Sequence, residues 1–126
     1  MFSIELDLPV SINSMYGVNP KTGRRYLKKD AKEWKEYAIW EITRIRNSMS
    51  KVGDRFPTEN PVLVTRHFIF PDGRRRDHAN YYKQIDDALV NGGILRDDSQ
   101  IKEDHNAQAI DSSIRKGRVI VYVDLL

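Results

Sequence analysis

The chain has 126 residues, 40% of them hydrophobic and 31% charged, with 21 basic against 18 acidic side chains for a net charge of +3. That mixture suits one compact α/β or α+β domain, residues 1–126, and excludes collagen-like and disordered compositions. Cysteine is absent, which removes disulfide frameworks, thiolate zinc sites and Cys nucleophiles together.

Phe2, Ile4, Leu6 and Leu8 alternate with Ser3, Glu5 and Asp7, the period of two of a strand with one buried face, and Pro9 ends it. From Val10 to Leu27 the residues are Ser, Asn, Gly, Pro and Lys-rich, with turn signals at Asn19-Pro20 and Thr22-Gly23, which reads as a long loop. Asp30 is placed to cap a helix whose apolar positions Ala31, Trp34, Ala38, Ile42, Ile45 and Met49 recur every three or four residues, ending near Val52-Gly53. Trp34 lies on that stripe and reads as core. Trp40 lies off it and is a candidate for a subunit interface.

Val62, Val64, Phe68 and Phe70 share one face of a second strand, with Arg66 interrupting it. Pro71-Asp72-Gly73 breaks the strand. A second helix then begins near Asp77 or His78, with Tyr81, Tyr82, Ile85, Ala88 and Leu89 as its apolar face and Asn91-Gly92-Gly93 as its stop. Ile101 to Ile110 suits an edge strand or a loop. Val119 to Val123 is continuously apolar apart from a tyrosine hydroxyl, the pattern of a strand covered on both faces. The order is therefore βαβαββ: two main helices packed on a mixed sheet of about four strands. No apolar run approaches the roughly 20 residues of a bilayer span and no signal-peptide pattern precedes the first strand, so a cytoplasmic protein without a membrane partner is expected.

Three consecutive arginines, Arg74, Arg75 and Arg76, stand directly before Asp77, and a carboxylate pair, Asp97-Asp98, follows the second helix. A hard divalent metal such as Mg²⁺ takes oxygen ligands, often one or two carboxylates completed by water and phosphate oxygens. Arginines beside it hold phosphates. These are the parts of metal-assisted phosphodiester hydrolysis, which needs neither cysteine nor histidine. A plainer reading stands beside that one: Asp77 as an N-cap, Asp97-Asp98 as solvated turn residues and the arginines as a solvated run. Spacing alone leaves both open.

The segment RRRDHANYYKQIDDALVNGGILRDDSQI resembles the signature region of the RusA family of Holliday junction resolvases. The family pattern is a basic run, Asp-x-Asp-Asn, a Lys three residues on, a helix with Asp-Ala-Leu, and Asp-Asp-x-Gln before the next strand. Arg74 to Arg76, Asp77, Asn80, Lys83, Asp87-Ala88-Leu89 and Asp97-Asp98-Ser99-Gln100 supply it in order. Leu8-Pro9, Ser11, Asn13, Tyr16 and Gly23-Arg24-Arg25-Tyr26-Leu27 resemble the family's N-terminal pattern. The resemblance implies a small α/β fold and a homodimer that binds a four-way DNA junction and makes two symmetric nicks with Mg²⁺, or with Mn²⁺ in its place, without a small-molecule cofactor. It implies Asp77 and Asp98, with Asp97 beside them, as metal ligands. Lys83 matches the catalytic lysine, Asn80 the motif asparagine that orients a carboxylate or water, and Arg74, Arg75 and Arg76 the adjoining basic run.

The chain departs from the pattern at one place: the second motif aspartate falls on Ala79, giving Asp-His-Ala-Asn. Either the site works with fewer ligands, or His78, Asp97 or Asp72 substitutes, or the chain binds junctions without cutting them. On a helix His78 points about 100° away from position 79, so it is a poor substitute. Lys21, Arg24, Arg25, Lys28, Lys29, Lys32 and Lys35 crowd the loop and the start of the first helix, a candidate phosphate-binding surface or a solvated face. Asn13 and Tyr16 join that DNA-facing set, and Tyr16 and Tyr26 are placed either to stack on bases exposed at a crossover or to pack on the sheet edge.

Overall fold

The structure is a computed structural model that describes residues 2–49 and 55–126. Along them run β1 (Phe2–Asp7), β2 (Tyr16–Val18), β3 (Arg25–Leu27), α1 (Lys29–Met49), β4 (Val62–Phe70), α2 (Tyr82–Asn91), β5 (Ile101–Ile110) and β6 (Arg118–Leu125). The fold is α+β. Its main sheet has the order β1-β6-β4-β5, with β6 antiparallel to both neighbours and β4 parallel to β5. A parallel pair needs a crossover, and α2 is that crossover. The segments flanking α2 carry the residues the sequence singles out, Asp77 on one side and Asp97-Asp98 on the other.

The core lies between one face of the sheet and the two helices. Phe2, Ile4 and Leu6 of β1, Val62, Val64, Phe68 and Phe70 of β4, and Val119, Val121 and Val123 of β6 meet Ala38 and Ile42 of α1 and Ile85, Ala88 and Leu89 of α2. The helices approach closely where α2 ends, because a Cβ on Gly92 would stand 2.5 Å from Ile42 Cγ2. Gly93 follows with φ +81° and reverses the chain, a conformation that costs glycine little. Truncating a side chain as enclosed as Ile42 to alanine would cost about 2–5 kcal/mol.

Three expectations change. Val10 to Leu27 is not a plain loop: a 3-10 turn at Ile12–Ser14 leads into the β2–β3 hairpin. Its strands are three residues each, too short for alternation to show against Ser, Asn and Gly. The first helix starts at Lys29, two residues earlier than a cap at Asp30 allows; Lys28 O accepts the first helical bond from Lys32 N, and the Asp30 carboxylate accepts from Ala31 N within the first turn. Its expected end near Val52-Gly53 lies outside the described residues. Finally, β6 is covered on one face only. Val119, Val121 and Val123 are buried, whereas Ile120 is half-buried and Tyr122 is 40% exposed on the opposite face, beside Leu63, Thr65, His67 and Ile69 of β4. No described helix is long and apolar enough to cross a membrane.

Candidate active site

Asp77 follows β4 and caps a 3-10 turn, His78–Tyr81, that runs straight into α2. Its Oδ1 accepts the Ala79 amide at 3.0 Å, so the capping role is real, and this is its sole hydrogen bond from the side chain among the described residues. Asn80 and Lys83 sit on the next turns. Asn80 O accepts from Gln84, and Lys83 Nζ lies 3.7 Å from Asp87 Oδ2 and is largely exposed.

Beyond α2, Asp97 and Asp98 open a second 3-10 turn. Gln100 explains why a glutamine belongs in this motif. Its Oε1 accepts the amides of Arg96 and Asp97 at 2.8 and 2.9 Å, and its Nε2 donates to the carbonyls of Thr58 and Asn60 at 2.8 and 3.0 Å. One side chain thereby pins the carboxylate pair to the segment before β4. Asp97 Oδ2 accepts the Ser99 hydroxyl, the main cause that holds the Asp97 carboxyl below its ordinary range. Asp98 is exposed and free of such bonds among the described residues.

The carboxylates around α2 fall into two groups. Asp72 pairs with Arg76 at 2.8 Å, Asp87 with Lys83, and Asp86 and Asp104 both with Arg66. Asp77, Asp97 and Asp98 form no ion pair among the described residues. They present hard oxygen donors with uncompensated charge, a donor chemistry that fits a divalent cation completed largely by water and phosphate. No three His, Asp or Glu side chains among the described residues converge closely enough to hold a metal ion by themselves.

Position 79 is exposed and carries only a methyl group. His78 does not stand in for the missing carboxylate: its ring stacks on Phe68 at 5.5 Å and its Nδ1 is 2.6 Å from the Tyr82 hydroxyl. Asp72 is committed to the arginine loop, where the Arg74 amide and the Arg76 guanidinium hold its carboxyl below the usual range. Arg76 is spent in that loop, bonded to Asp72 O and Arg74 O and lying over Phe70. Arg74 and Arg75 are exposed.

Sequence reasoning missed the group at the centre of this region. Arg66, 2% exposed, points into the core from β4. Its Nη2 donates to both Asp86 oxygens at 2.7 and 2.8 Å and its Nε to Oδ1 at 3.3 Å, its Nη1 donates to Asp104 at 3.0 Å and Asn106 at 3.1 Å, and the guanidinium lies over the Tyr82 ring at 4.5 Å. Burial pushes the Asp86 carboxyl up, with Arg66 pulling against it and Asp104 and Asp98 adding to it. Asp104, bonded by Asn106 and Arg66, is held low. The available signal was the arginine itself, since a charge on the inward face of an apolar strand requires partners.

The basic surface is arranged on the hairpin. Arg25 lies over the Tyr16 ring at 4.0 Å, the Tyr26 ring lies against Gly17 across the hairpin, and both tyrosines stay exposed. Lys21, Arg24, Lys28, Lys29, Lys32, Lys35 and Asn13 are exposed around them, and of these only Lys29 has an acidic partner among the described residues, Glu33.

Comparison with known proteins matches the family model described as endodeoxyribonuclease RusA to residues 9–123. A curated relative, "Crossover junction endodeoxyribonuclease RusA" of Aquifex aeolicus (strain VF5), is 30% identical over 113 residues, covering 90% of this chain and 82% of the relative.

Proposed function

Because the chain belongs to the RusA family of endodeoxyribonucleases, we propose that it hydrolyses DNA phosphodiester bonds at four-way junctions. The observation that carries this reading is the pair of unneutralised motif carboxylates, Asp77 and Asp98, on the two segments that flank α2, with Lys83 exposed on the helix between them.

Asp77 and Asp98 would hold Mg²⁺, or Mn²⁺, with Asp97 beside them, and the bound ion would polarise the phosphoryl oxygen and lower the pKa of a water. The chain's own residues do the rest. Lys83 and the exposed Arg74 and Arg75 hold the scissile phosphate and offset the charge that grows on its oxygens as water attacks phosphorus and the bridging P–O bond breaks. Asn80, one turn before Lys83, orients a carboxylate or water. Gln100 keeps Asp97-Asp98 tied to the segment before β4 through the Thr58 and Asn60 carbonyls. The hairpin and the start of α1, from Asn13 and Tyr16 through Lys21, Arg24, Arg25, Lys28 and Lys29, run along the arms. Such contacts give sequence-independent, salt-sensitive affinity.

A four-way junction has approximate two-fold symmetry, so two copies of the chain would present one site to each of two opposed strands and make paired nicks. The uncovered sheet face with Leu63, Ile69, Ile120 and Tyr122 supports pairing there. Trp40, 63% exposed on α1, has the Arg44 guanidinium 5.9 Å over its ring. The setting would be recombination and repair of DNA in the cytoplasm.

A second reading follows from Ala79 and the lack of a three-ligand cage among the described residues: a protein of the same fold that binds junctions and cuts them poorly or not at all. Asp77→Asn and Asp98→Asn separate the two. In a nuclease each variant keeps junction affinity and loses nicking; in a binding protein there is no nicking to lose.

A further inference from the structure

The nitrogens of the buried Arg66 guanidinium all find acceptors, Nε and Nη2 on Asp86 of α2 and Nη1 on Asp104 and Asn106 of β5. The Asn106 amide donates in turn to Asp104 Oδ1 at 3.0 Å, which closes the β5 side. Stability alone does not call for such a network, because well-packed apolar side chains of similar volume serve as well or better. What a guanidinium adds is direction: its planar fork fixes the relative positions of the groups it bridges, as an ammonium or a methyl group cannot.

The elements it bridges carry the candidate site. Asp86 lies three residues after Lys83 on α2, a neighbour on the helix surface. Asp104 and Asn106 lie on β5, which the Asp98–Gln100 turn enters directly. The turn capped by Asp77 joins through Tyr82: the Arg66 guanidinium lies 4.5 Å over its ring, and its hydroxyl is 2.6 Å from His78 Nδ1. Asp98 adds to the burial that raises the Asp86 carboxyl, and Asp77 adds to the burial that raises the Tyr82 hydroxyl. Both motif carboxylates therefore lie within electrostatic reach of the groups the fork holds. Ala79 leaves the motif one carboxylate short, so the arrangement of the two that remain has to be held from outside it.

We propose that Arg66 is a positioning residue of the nuclease site, its fork holding the Asp77 turn, Lys83 and the Asp97-Asp98 turn in the mutual arrangement that receives a divalent cation and the scissile phosphate. Arg66 touches neither of these and acts through Tyr82, Asp86, Asp104 and Asn106. The proposal rests on the nuclease reading above. Rate is sensitive to such an arrangement, since a misplacement of about 1 Å costs on the order of 100-fold.

Two variants separate positioning from stability. Arg66→Met/Asp86→Leu replaces the bridge to α2 by apolar packing, and Arg66→Lys keeps a positive charge but cannot span both sides of the fork. Each is compared with the wild-type chain in urea unfolding, in junction affinity in EDTA, in Mn²⁺ affinity of the free protein by electron paramagnetic resonance, and in single-turnover nicking of a four-way junction at saturating Mg²⁺. A folded variant should keep junction affinity within about twofold, bind Mn²⁺ about fivefold more weakly or worse, and nick about tenfold more slowly or worse. Nicking or Mn²⁺ affinity at the wild-type level in a folded variant would overturn the proposal and leave the network purely structural. Failure of the nuclease reading looks different: the wild-type chain leaves the junction uncut. The Mn²⁺ measurement then decides the positioning role alone, and equal affinity in all three proteins, or no binding by the wild type, would overturn it.

Discussion

Replacing Arg66 by methionine tests what the buried charge network does. The side chain of Asp86 is 17% exposed, and Arg66 supplies its bidentate counter-charge. Asp104 is 46% exposed and returns to water when the arginine is removed, but Asp86 cannot. The stranded carboxylate takes up a proton instead. Holding an acid of ordinary pKa 3.8 in its neutral form costs about 4 kcal/mol at pH 7 and about 2 kcal/mol at pH 5. The first figure falls within the loss of about 3–5 kcal/mol expected on breaking a buried ion pair. The sign follows from the direction of the shift. A carboxyl raised in the folded state is at no disadvantage below its unfolded value and becomes a growing liability as pH rises toward its folded value. Arg66→Met should therefore lose more stability at pH 7 than at pH 5, read by urea unfolding at both. The double variant Arg66→Met/Asp86→Leu removes both charges and should recover most of the loss. An equal deficit at the two pH values, or a double variant no better than the single one, would refute the electrostatic account and leave only lost packing.

Three further outcomes are expected. Ala79→Asp returns a carboxylate to an exposed position between Asp77 and Asn80, and nicking of a four-way junction should rise at least tenfold with little change in melting temperature; an unchanged rate would mean that the position is not part of the site. Arg24→Ala/Arg25→Ala should weaken junction binding and lower the slope of log affinity against log salt by about 2, one for each phosphate no longer neutralised, whereas an unchanged slope would remove the hairpin from the DNA surface. Ile120→Arg places a charge on the uncovered sheet face and should convert a dimer into a folded monomer by sedimentation; a dimer that survives it forms elsewhere.

Much of the fold was readable because local patterns and tertiary burial agree. The alternation from Phe2 to Leu8 became β1 with Phe2, Ile4 and Leu6 inward, and the three-and-four spacing from Ala31 to Met49 became α1. The errors lie where one pattern serves two environments. Val119 to Val123 reads as doubly buried because Ile120 and Tyr122 are apolar on a face that the chain itself leaves open. The hairpin escaped notice because strands of three residues carry no period. At the candidate site, the ordered motif singled out Asp77, Lys83 and Asp98, but not what surrounds them. Arg66 looks like an interruption until β4 and β5 are set in parallel register, which brings Asp104 and Asn106 alongside it. Asp86 joins them from α2, four residues after Tyr82 and so on the same side of the helix.

The most direct test of the account is a four-way junction labelled in turn on each strand and incubated with the wild-type chain and Mg²⁺ or Mn²⁺. Nicks at symmetric positions in two opposed strands, absent from linear duplex and abolished by Asp98→Asn, are the predicted result. A junction that is bound but left uncut across the whole range of either metal would contradict it.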